Sequence, residues 1–332
     1  ADGEEFKLIC TLLRNHSGVD FFHYKPATLR RRISRRMVLQ KLETLREYAV
    51  FLRSSPSEVE ALFQDILICV TSFFRDGKMF DVLKKKIFPK ILKNRLPDTP
   101  IRLWSAGCST GEEAYSMVIA LVEFLEKEGV RCPIQLFGTD INEAVLNRAR
   151  TGTYPERIKD DVSPERLRRF FTKADDGYRI NKSIRDYCMF ARQNVIEDPP
   201  FSHVDLITCR NVLIYFDAAL QKKVLPVFHY ALNPNGFLVL GTAESVGSFA
   251  ELFGIADAKY RIYEKKFAHT RHVGVPARFT AGPERKTGEL PAVPRSRVEP
   301  MLGDIRKQAD AIVLSQFAPT GVVINTGMEI LQ

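Results

Sequence analysis

Three features are absent from this sequence of 332 residues, and each absence narrows the kind of protein it encodes. It contains no run of 18 apolar residues, so no segment is predicted to span a membrane. Residues 1–10 are polar and acidic where a secretory signal peptide needs a basic and then an apolar stretch. The six cysteines lie more than 20 residues apart, which excludes a zinc ribbon or finger and favours buried thiols in a reducing compartment. We therefore predict a cytoplasmic protein without a metal site.

The composition is that of a globular protein with an uneven positive charge. Apolar residues make up 45% and charged residues 27% of the chain, which is enough for a large core. The formal net charge is +9, and residues 20–55 alone hold nine Lys or Arg against three Asp or Glu. Such a positive face indicates an acidic partner, and nucleic acid, anionic lipid and an acidic protein all remain open.

Hydrophobic periodicity divides the chain into a helical part and an alternating part. Apolar side chains recur at helical spacing between residues 5 and 95, so we predict a helical domain over 1–95. From residue 101, short apolar runs alternate with helical stretches, which indicates an α/β domain with a doubly wound, mostly parallel sheet over 96–267. Strands are predicted over 101–104, 134–137, 187–191, 204–208 and 237–240, with 260–266 as the final edge strand. Helices are predicted over 112–126, 142–150 and 217–232, and a turn at Asn233-Pro234-Asn235-Gly236 is predicted to close the last of them.

Two segments depart from this alternation. Residues 151–190 carry a charged helix, a turn at Asp175-Asp176-Gly177 and short strand-like pieces, so we predict a small β-subdomain inserted in the α/β domain. Residues 268–300 hold five prolines and little periodicity, which predicts a linker. A helix at 304–317 and a strand at 321–325 are too little for a domain, so 301–332 are predicted to begin a further module.

A glycine-rich loop lies between the first predicted strand and the helix that follows it. Its residues are Ser105-Ala106-Gly107-Cys108-Ser109-Thr110-Gly111-Glu112-Glu113. Glycines in such a loop let the backbone approach a ligand, and the start of the helix offers free N–H groups. Asp140, at the end of the second predicted strand, is placed to bind a ribose diol. Together these features predict a Rossmann-type nucleoside site.

Two other motifs allow competing interpretations. Residues 107–111 match the G-x-S-x-G elbow of hydrolases, which needs an acid and a later histidine, and His203 and His229 are the candidates before the linker. Asp198-Pro199-Pro200-Phe201 resembles the motif of methyltransferases that act on exocyclic amino groups of bases. It precedes a predicted strand instead of following one, which favours a simple turn.

Five arginines fall within Arg30-Arg31-Arg32-Ile33-Ser34-Arg35-Arg36. A solvated helix face accounts for this cluster without any partner, and nucleic-acid binding is an alternative. Neither interleaved aromatic residues nor a nucleic-acid motif accompanies the cluster.

Four motifs follow one another along the chain. They are Thr71-Ser72-Phe73-Phe74-Arg75-Asp76, the glycine-rich loop with Ala114-Tyr115-Ser116, Gly138-Thr139-Asp140-Ile141, and Cys209-Arg210-Asn211-Val212-Leu213-Ile214-Tyr215-Phe216. From about residue 6 to residue 266, the chain resembles the CheR family of chemoreceptor glutamate methyltransferases, which use S-adenosylmethionine. Residues 300–332 resemble the start of a PAS module, which follows a CheR domain in some relatives.

The resemblance implies roles for individual residues. Cofactor contacts are expected at Thr71, Arg75, Ala106, Gly107, Glu113, Asp140, Asn194, Val195, Arg210 and Asn211. The inserted β-subdomain grips a receptor peptide in some members of the family, but the turn at 175–177 is shorter than in those members. Cys69 stands where members often carry a cofactor-contacting Asn.

The resemblance also implies a reaction, in which glutamate carboxylates of a chemoreceptor-like protein become methyl esters and S-adenosylmethionine becomes S-adenosylhomocysteine. Glutamate is ionised at pH 7, so no general base is needed. Arg75 is expected to hold the acceptor carboxylate, and Tyr215 to orient it or the methyl group. Arg30, Arg31 and Arg35 are expected to dock the acidic helical bundle of a receptor, without nucleic acid or membrane insertion. A catalytically silent cofactor- or receptor-binding sensor module and a nucleic-acid methyltransferase are the alternatives.

Overall fold

The computed structural model describes residues 2–67, 70–93, 95–96 and 98–267, and four strand residues near the end of the chain. The chain divides into two compact units, residues 1–277 and 278–332. In the second unit the described residues form an antiparallel pair, in which Val323–Ile324 lies against Ile330–Leu331. The predicted linker, the predicted helix at 304–317 and Cys69 lie outside the described residues. The further module therefore stays a prediction.

The first unit begins with four helices. They are α1 (Asp2–Ser17), α2 (Pro26–Leu39), α3 (Leu45–Ser54) and α4 (Pro56–Ile66), with a 3₁₀ turn at Phe21–His23 between the first two. Local sequence sets two of the boundaries, because Thr44 and Glu47 form a reciprocal capping box before α3 and Pro56 opens α4. The chain continues through α5 (Gly77–Val82), a π-helical turn at Leu83–Ile87 and α6 (Phe88–Leu92).

Strands and helices then alternate. The strands of this unit are β1 (Ile101–Ala106), β2 (Ile134–Asp140), β3 (Thr153–Pro155), β4 (Phe171–Ala174), β5 (Gly177–Ile180), β6 (Cys188–Arg192), β7 (Val204–Cys209), β8 (Leu232–Leu240), β9 (Phe253–Asp257) and β10 (Ile262–Lys265). The helices are α7 (Glu112–Lys127), α8 (Glu143–Thr151), α9 (Pro164–Phe170), α10 (Lys182–Arg185) and α11 (Ala218–Ala231). Among the described residues, no helix is both long and apolar enough to cross a membrane.

The central sheet has seven strands in the order β6-β2-β1-β7-β8-β10-β9. The first five of these are parallel neighbours, and β10 runs antiparallel to both β8 and β9. Strand order reverses between β1 and β7, which is where a doubly wound sheet opens a crevice at its carboxyl edge. The predicted fold class is confirmed: an all-helical beginning is followed by a doubly wound, mostly parallel sheet.

Alternate side chains of the strands build two cores on opposite faces of the sheet. Leu103, Leu136 and Leu206 point to the face covered by α5, α6, α7 and the segment 151–190. Their neighbours Trp104 and Ile207 point to the face covered by α1–α4 and α11. The helical residues 77–92, which the sequence places in a domain with 1–66, therefore pack on the other side of the sheet from α1–α4.

The segment 151–190 has a sheet of its own. Its three strands pair in the order β3-β5-β4, all antiparallel, and β4 and β5 are joined by the predicted turn at 175–177. Its last residues, from Cys188, already belong to β6 of the central sheet.

Two details of the predicted sheet are wrong. The strand expected at the edge, β10, lies inside the sheet, and the edge is β9, which the sequence does not reveal because Ile255 at its centre is 71% exposed. The residues 233–236, predicted as a turn that closes the preceding helix, are part of β8, whose pairing with β7 is irregular between Val204 and Leu206.

A buried carboxylate joins three of the N-terminal helices. Glu58 in α4 is 4% exposed and accepts hydrogen bonds from Arg36 (2.6 and 2.8 Å) and Gln40 (2.7 Å) at the end of α2 and from the Tyr48 hydroxyl of α3 (2.9 Å). Burial alone would raise the pKa of Glu58, but the bonds from Arg36 and Tyr48 outweigh it and hold that pKa below its ordinary value. The bidentate Arg36 pair thus fixes α2 on the bundle.

We expect Glu58→Gln to lower the free energy of unfolding by about 3 kcal/mol, because it removes the bidentate partner of the half-buried Arg36 guanidinium and leaves only the more distant Asp65 carboxylate, at 3.8 Å. Since the folded-state pKa of Glu58 is depressed, its contribution is present above the unfolded pKa and is lost as pH falls through the folded pKa. Urea unfolding at pH 7 and at pH 4 measures both effects. Glu60→Gln on the same helix, where the half-exposed carboxylate meets His16, is the control and should change stability by less than about 1 kcal/mol. Equal effects of the two substitutions would contradict the assignment.

Candidate active site

A cavity of about 230 Å³ opens at the carboxyl edge of the sheet, where the strand order reverses. It brings together residues that are distant in sequence. All the predicted cofactor and catalytic positions line it: Thr71, Arg75, Ala106, Gly107, Glu113, Asp140, Asn194, Val195, Arg210, Asn211 and Tyr215. The predicted docking residues Arg30, Arg31 and Arg35 lie outside it on α2.

The glycine-rich loop is held against the end of β2. The N–H groups of Gly107 and Cys108 donate to the Thr139 carbonyl at 2.8 and 2.9 Å, and the Ser109 N–H donates to the Asp140 carboxylate at 2.9 Å. Gly107 has a φ of +71°, and a Cβ at that position would lie 2.5 Å from a methyl group of Val212. The loop therefore approaches the neighbouring strand end in a way that only glycine allows.

The Asp140 carboxylate both holds the backbone at this edge of the sheet and faces the cavity. One carboxylate oxygen accepts from Ser109 and the other from the Asn142 N–H at 2.9 Å, and the side chain also faces the cavity. Burial raises the pKa of the Asp140 carboxyl, and the backbone bonds from Asn142 and Ser109 oppose that rise. The Ile141 N–H contributes a third backbone bond, which leaves part of the acceptor capacity of this carboxylate for a ligand.

Two arginines of the cavity differ sharply in their surroundings. Arg210, whose side chain is 2% exposed, pairs with Glu113 at 3.0 Å and with Asp76. Arg75 is exposed and, within the described part of the chain, forms no ion pair. Arg210 therefore serves as a fixed strut between three segments, whereas the guanidinium of Arg75 is available to an incoming anion.

Arg75 sits on a strained turn. Phe74 and Asp76, on either side of it, have φ values of +48° and +59°, a region that non-glycine residues seldom adopt. The turn is fastened to α7, because the Phe74 N–H donates to the Ser116 hydroxyl at 2.9 Å. Ser116 in turn donates to the Glu112 carbonyl, so the Arg75 turn is linked to the first turn of α7.

The β3–β5 segment also supports the site. The Tyr154 hydroxyl donates to the Thr110 carbonyl of the glycine-rich loop at 2.7 Å, and its ring packs edge-on against Phe73, 4.8 Å between centroids. The Arg166 guanidinium of α9 lies 3.9 Å from the centroid of the Phe74 ring. The inserted segment thus holds both the loop and the turn that carries Arg75.

Tyr215 lies at the mouth of the cavity in the segment that follows β7. Burial raises the pKa of its phenol, while the positive charges of Arg32, Arg75 and Arg31 act in the opposite direction. Its carbonyl accepts from the Lys25 N–H at 2.8 Å, directly before α2. The start of the arginine-rich helix is therefore bonded to the backbone of Tyr215, and Arg31 and Arg32 of α2 lie close enough for their charges to act on the pKa of this phenol.

The five arginines of α2 do not form one uniform face. Arg36 is turned inward to Glu58, and the Arg30 guanidinium lies 5.0 Å from the centroid of the Phe6 ring. Arg31 and Arg35 are exposed, and Arg32 is half-buried.

The helical bundle forms a wall of the cavity that the sequence did not reveal. Tyr24, Thr28 and Ile66 line it, and the pKa of Tyr24 is raised by burial and by the nearby Asp140 charge. No motif marks these residues, because they come from turns and helix ends of a different layer. Residues of both the helical bundle and the α/β part thus line the cavity.

The two competing motifs have other roles. No histidine of the described residues lines the cavity, and His229 in α11 bonds to the Lys266 carbonyl, so Ser109 has no triad partner. Asp198 accepts from the Asn194 N–H at 2.7 Å, and Phe201 stacks on Phe137. The Asp-Pro-Pro-Phe stretch is therefore a turn before β7, as its position indicated.

Three features together define the Rossmann-like methyltransferase class. They are a glycine-rich loop after β1, an acid at the end of β2, and the strand β10, which runs antiparallel to its neighbours. Family comparison gives the particular family. A family model described as "CheR methyltransferase, SAM binding domain" matches residues 69–262, and one described as "CheR methyltransferase, all-alpha domain" matches residues 4–67. The chain belongs to the CheR methyltransferase family.

Curated relatives agree with this assignment. The chain is 31% identical over 265 residues to the "Chemotaxis protein methyltransferase" of Borreliella burgdorferi, covering 78% of this chain and 94% of that protein. It is 32% identical to "Chemotaxis protein methyltransferase 1" of Vibrio cholerae, covering 75% and 92%. A third relative, the "Uncharacterized 104.1 kDa protein in hypE 3'region" of Rhodobacter capsulatus, is 36% identical over 77% of this chain, which spans only 27% of that protein's length.

Solved structures add only a distant likeness. A TehB-like SAM-dependent methyltransferase from Corynebacterium glutamicum covers 57% of this chain and 96% of its own, with 14% identity and a TM-score of 0.31.

Proposed function

We propose that this protein transfers the methyl group of S-adenosylmethionine to glutamate side chains of a chemoreceptor-like protein in the cytoplasm. The products would be glutamyl methyl esters and S-adenosylhomocysteine. The observation that carries the proposal is the uncommitted Arg75 guanidinium, which faces the same cavity mouth as Tyr215 and lies in a cavity lined by no histidine of the described residues. Such a site suits an acceptor that is already an anion.

The residues at the strand ends fit S-adenosylmethionine. Asp140 offers its remaining acceptor capacity to a ribose diol, and Ile141 with Val195 offers an apolar wall for a base. The Ser109 hydroxyl oxygen is buried without a protein partner at this cavity, which suits a polar ligand. Glu113, although paired with Arg210, places negative charge where a ligand ammonium group would be bound. Thr71, Ala106, Gly107, Asn194 and Asn211 complete the proposed cofactor contacts.

The proposed reaction does not need a general base. When bound, S-adenosylmethionine supplies an electrophilic sulfonium methyl group, and the carbon–sulfur bond breaks as a carboxylate oxygen forms its bond to carbon. A glutamate with a pKa of about 4.3 is already ionised at pH 7. The protein's main contribution is then alignment, which supplies on the order of 7–11 kcal/mol in well-oriented reactions.

We propose that Arg75 and Tyr215 align the acceptor through different contacts. The planar guanidinium of Arg75 can hold a carboxylate through two parallel bonds and offset the loss of its water. Tyr215 remains a protonated phenol at neutral pH, because burial raises its pKa, so it can donate a hydrogen bond to the acceptor or contact the methyl group. Too tight a pair with Arg75 would weaken the nucleophile, so its role is to aim the carboxylate.

Charge on α2 supports an acidic protein partner. Arg30, Arg31 and Arg35 are exposed on a helix whose start is bonded to the Tyr215 backbone, so a surface docked on α2 lies close to the cavity. We propose the acidic helical bundle of a receptor as that surface. Relatives named chemotaxis methyltransferases support this choice. Docking of a receptor peptide on β3–β5 and the absence of a metal requirement stay predictions.

The decisive experiment is transfer of a labelled methyl group to candidate receptor fragments. Label that alkali releases identifies a glutamyl ester, because esters hydrolyse in base and methylamines do not. Cofactor binding without any transfer would favour the silent sensor module instead. Transfer to DNA or RNA but not to protein would favour nucleic-acid methylation.

We expect Asp140→Ala to weaken binding of S-adenosylhomocysteine by about 10- to 150-fold, because it removes a charged acceptor worth about 1.5–3 kcal/mol. Isothermal calorimetry measures the change. Asp186→Ala, which removes the same charge from an exposed pair with Lys182, is the control and should leave affinity unchanged. Unchanged affinity in Asp140→Ala would remove this residue from the cofactor site.

Replacing Arg30, Arg31 and Arg35 with Ala should leave cofactor affinity intact and slow receptor methylation, more at low salt than at high salt. The reason is that exposed charges chiefly accelerate encounter, and ionic strength screens them. Initial rates at 20 mM and 300 mM salt, with receptor below its KM, test this. A variant with Lys127, Lys182 and Lys259 replaced by Ala loses the same charge away from the cavity and is the control. Equal low-salt rates in the two variants would show that the cluster is only a solvated face.

Arg75→Lys keeps the charge and loses the planar fork, so we expect turnover to fall by about 10- to 100-fold. Tyr215→Phe should lower turnover while the cofactor Kd stays within about twofold of wild type. Steady-state methyl transfer and calorimetry give both numbers. Near-native turnover in Arg75→Lys would mean that charge alone matters, and loss of cofactor binding in Tyr215→Phe would move Tyr215 to the cofactor site.

A further inference from the structure

A second buried carboxylate lies directly behind the cavity. Glu244, which is 5% exposed and does not line the cavity, comes four residues after the end of β8. One of its oxygens accepts from the backbone N–H groups of Gly241 (2.6 Å) and Asn211 (3.0 Å), and the other accepts from the Ile214 N–H (3.1 Å). Burial raises the pKa of Glu244, and these backbone bonds oppose the rise. Among the described residues, no Lys or Arg pairs with it.

The partners of this carboxylate bracket the segment that enters the site. Asn211 is a proposed cofactor contact with a φ of +60°, and Ile214 directly precedes Tyr215. A charged acceptor that holds both N–H groups fixes the spacing between these two functional residues. Gly241 packs closely against both the Glu244 carboxylate and the Asn211 backbone. A Cβ at this position would lie 2.7 Å from the carboxylate and 3.0 Å from the Asn211 nitrogen.

We propose that Glu244 is a positioning residue that sets Asn211 and Tyr215 in register, so that the cofactor side and the acceptor side of the reaction are aligned by one carboxylate. This inference rests on the proposed function for its catalytic consequence, but not for its effect on the backbone or on cofactor binding. Its physical basis is that a buried carboxylate with only backbone partners keeps them aligned through charge-assisted bonds.

Glu244→Gln is the direct test, because glutamine keeps the shape but replaces one acceptor oxygen with an NH₂ group that cannot accept from an N–H. The control is Asp205→Asn on the same strand system, at the opposite end of β7. Asp205 is also buried and accepts from the Arg102 N–H (2.9 Å) and the Asn233 amide (2.8 Å), and it pairs with Arg95. Both variants lose a buried charge, so a purely structural effect would be common to them.

In the full chain, at a temperature where thermal melting shows each variant folded, we expect amide hydrogen exchange in peptides that cover 209–216 and 241 to quicken about tenfold or more in Glu244→Gln. The Kd for S-adenosylhomocysteine should rise about tenfold, and kcat should fall by at least about tenfold with the receptor KM within about twofold. Asp205→Asn should change none of these three quantities.

A second variant keeps the proposal testable where Glu244→Gln fails to fold. Gly241→Ala retains the carboxylate but forces it aside, and it should give the same pattern in a milder form. Wild-type exchange at 209–216 in a folded variant of either kind, or equal losses in Asp205→Asn, would overturn the positioning role. Lack of methyl transfer by the wild type to any receptor would count against the proposed function alone, since exchange and cofactor binding would still decide the role of Glu244.

Discussion

A carboxylate that leaves water must find hydrogen-bond donors, and this constraint organises the molecule. Asp140 takes the N–H groups of Ser109 and Asn142 and so fixes the glycine-rich loop on β2. Glu244 takes N–H groups around Asn211 and fixes the segment after β7. Glu58 takes side-chain donors instead and fixes α2 on its bundle. Each buried acid connects pieces of chain that no hydrophobic contact could place to within an ångström, because dispersion and burial have no direction.

Hydrophobic packing determines which layers lie together, and hydrogen bonding determines the shape of the cavity. The two cores cover opposite faces of the sheet and decide which layers lie together, as the alternation of Leu103 with Trp104 and of Leu206 with Ile207 shows. The cavity lies at the carboxyl edge of the sheet, where backbone groups are left without strand partners. Its shape therefore depends on polar contacts from three sides: the helical bundle through Lys25 and Tyr215, the β3–β5 segment through Tyr154 and the glycine-rich loop, and α7 through Ser116.

Much of this arrangement could be predicted from the sequence, and the exceptions have physical reasons. Continuous apolar runs predicted the central strands, because these strands are buried on both faces, and period-3.6 patterns predicted their helices. The pattern failed at β9, where Ile255 is exposed and only one face of an edge strand needs apolar residues. Loop motifs predicted the residues that line the cavity at the strand ends, because the backbone conformation of such a loop depends on its own residues. Tyr24 and Glu244 carry no such local signal, because their roles arise from contacts with segments far away in sequence.

The distribution of charge at the mouth indicates how an acceptor would be selected. Arg31, Arg32 and Arg75 all act on the Tyr215 phenol, whereas the buried Arg210 is neutralised by Glu113 and Asp76. Positive charge beside the Tyr215 phenol favours an ionised carboxylate over a neutral amide or hydroxyl at that point. A neutral acceptor would also have to lose a proton, and no histidine of the described residues lines the cavity to take it. In the proposed function, the arginines of α2 that would attract an acidic partner include Arg31, which also acts on the pKa of Tyr215, so attraction of the partner and choice of the reacting group would share one electrostatic cause.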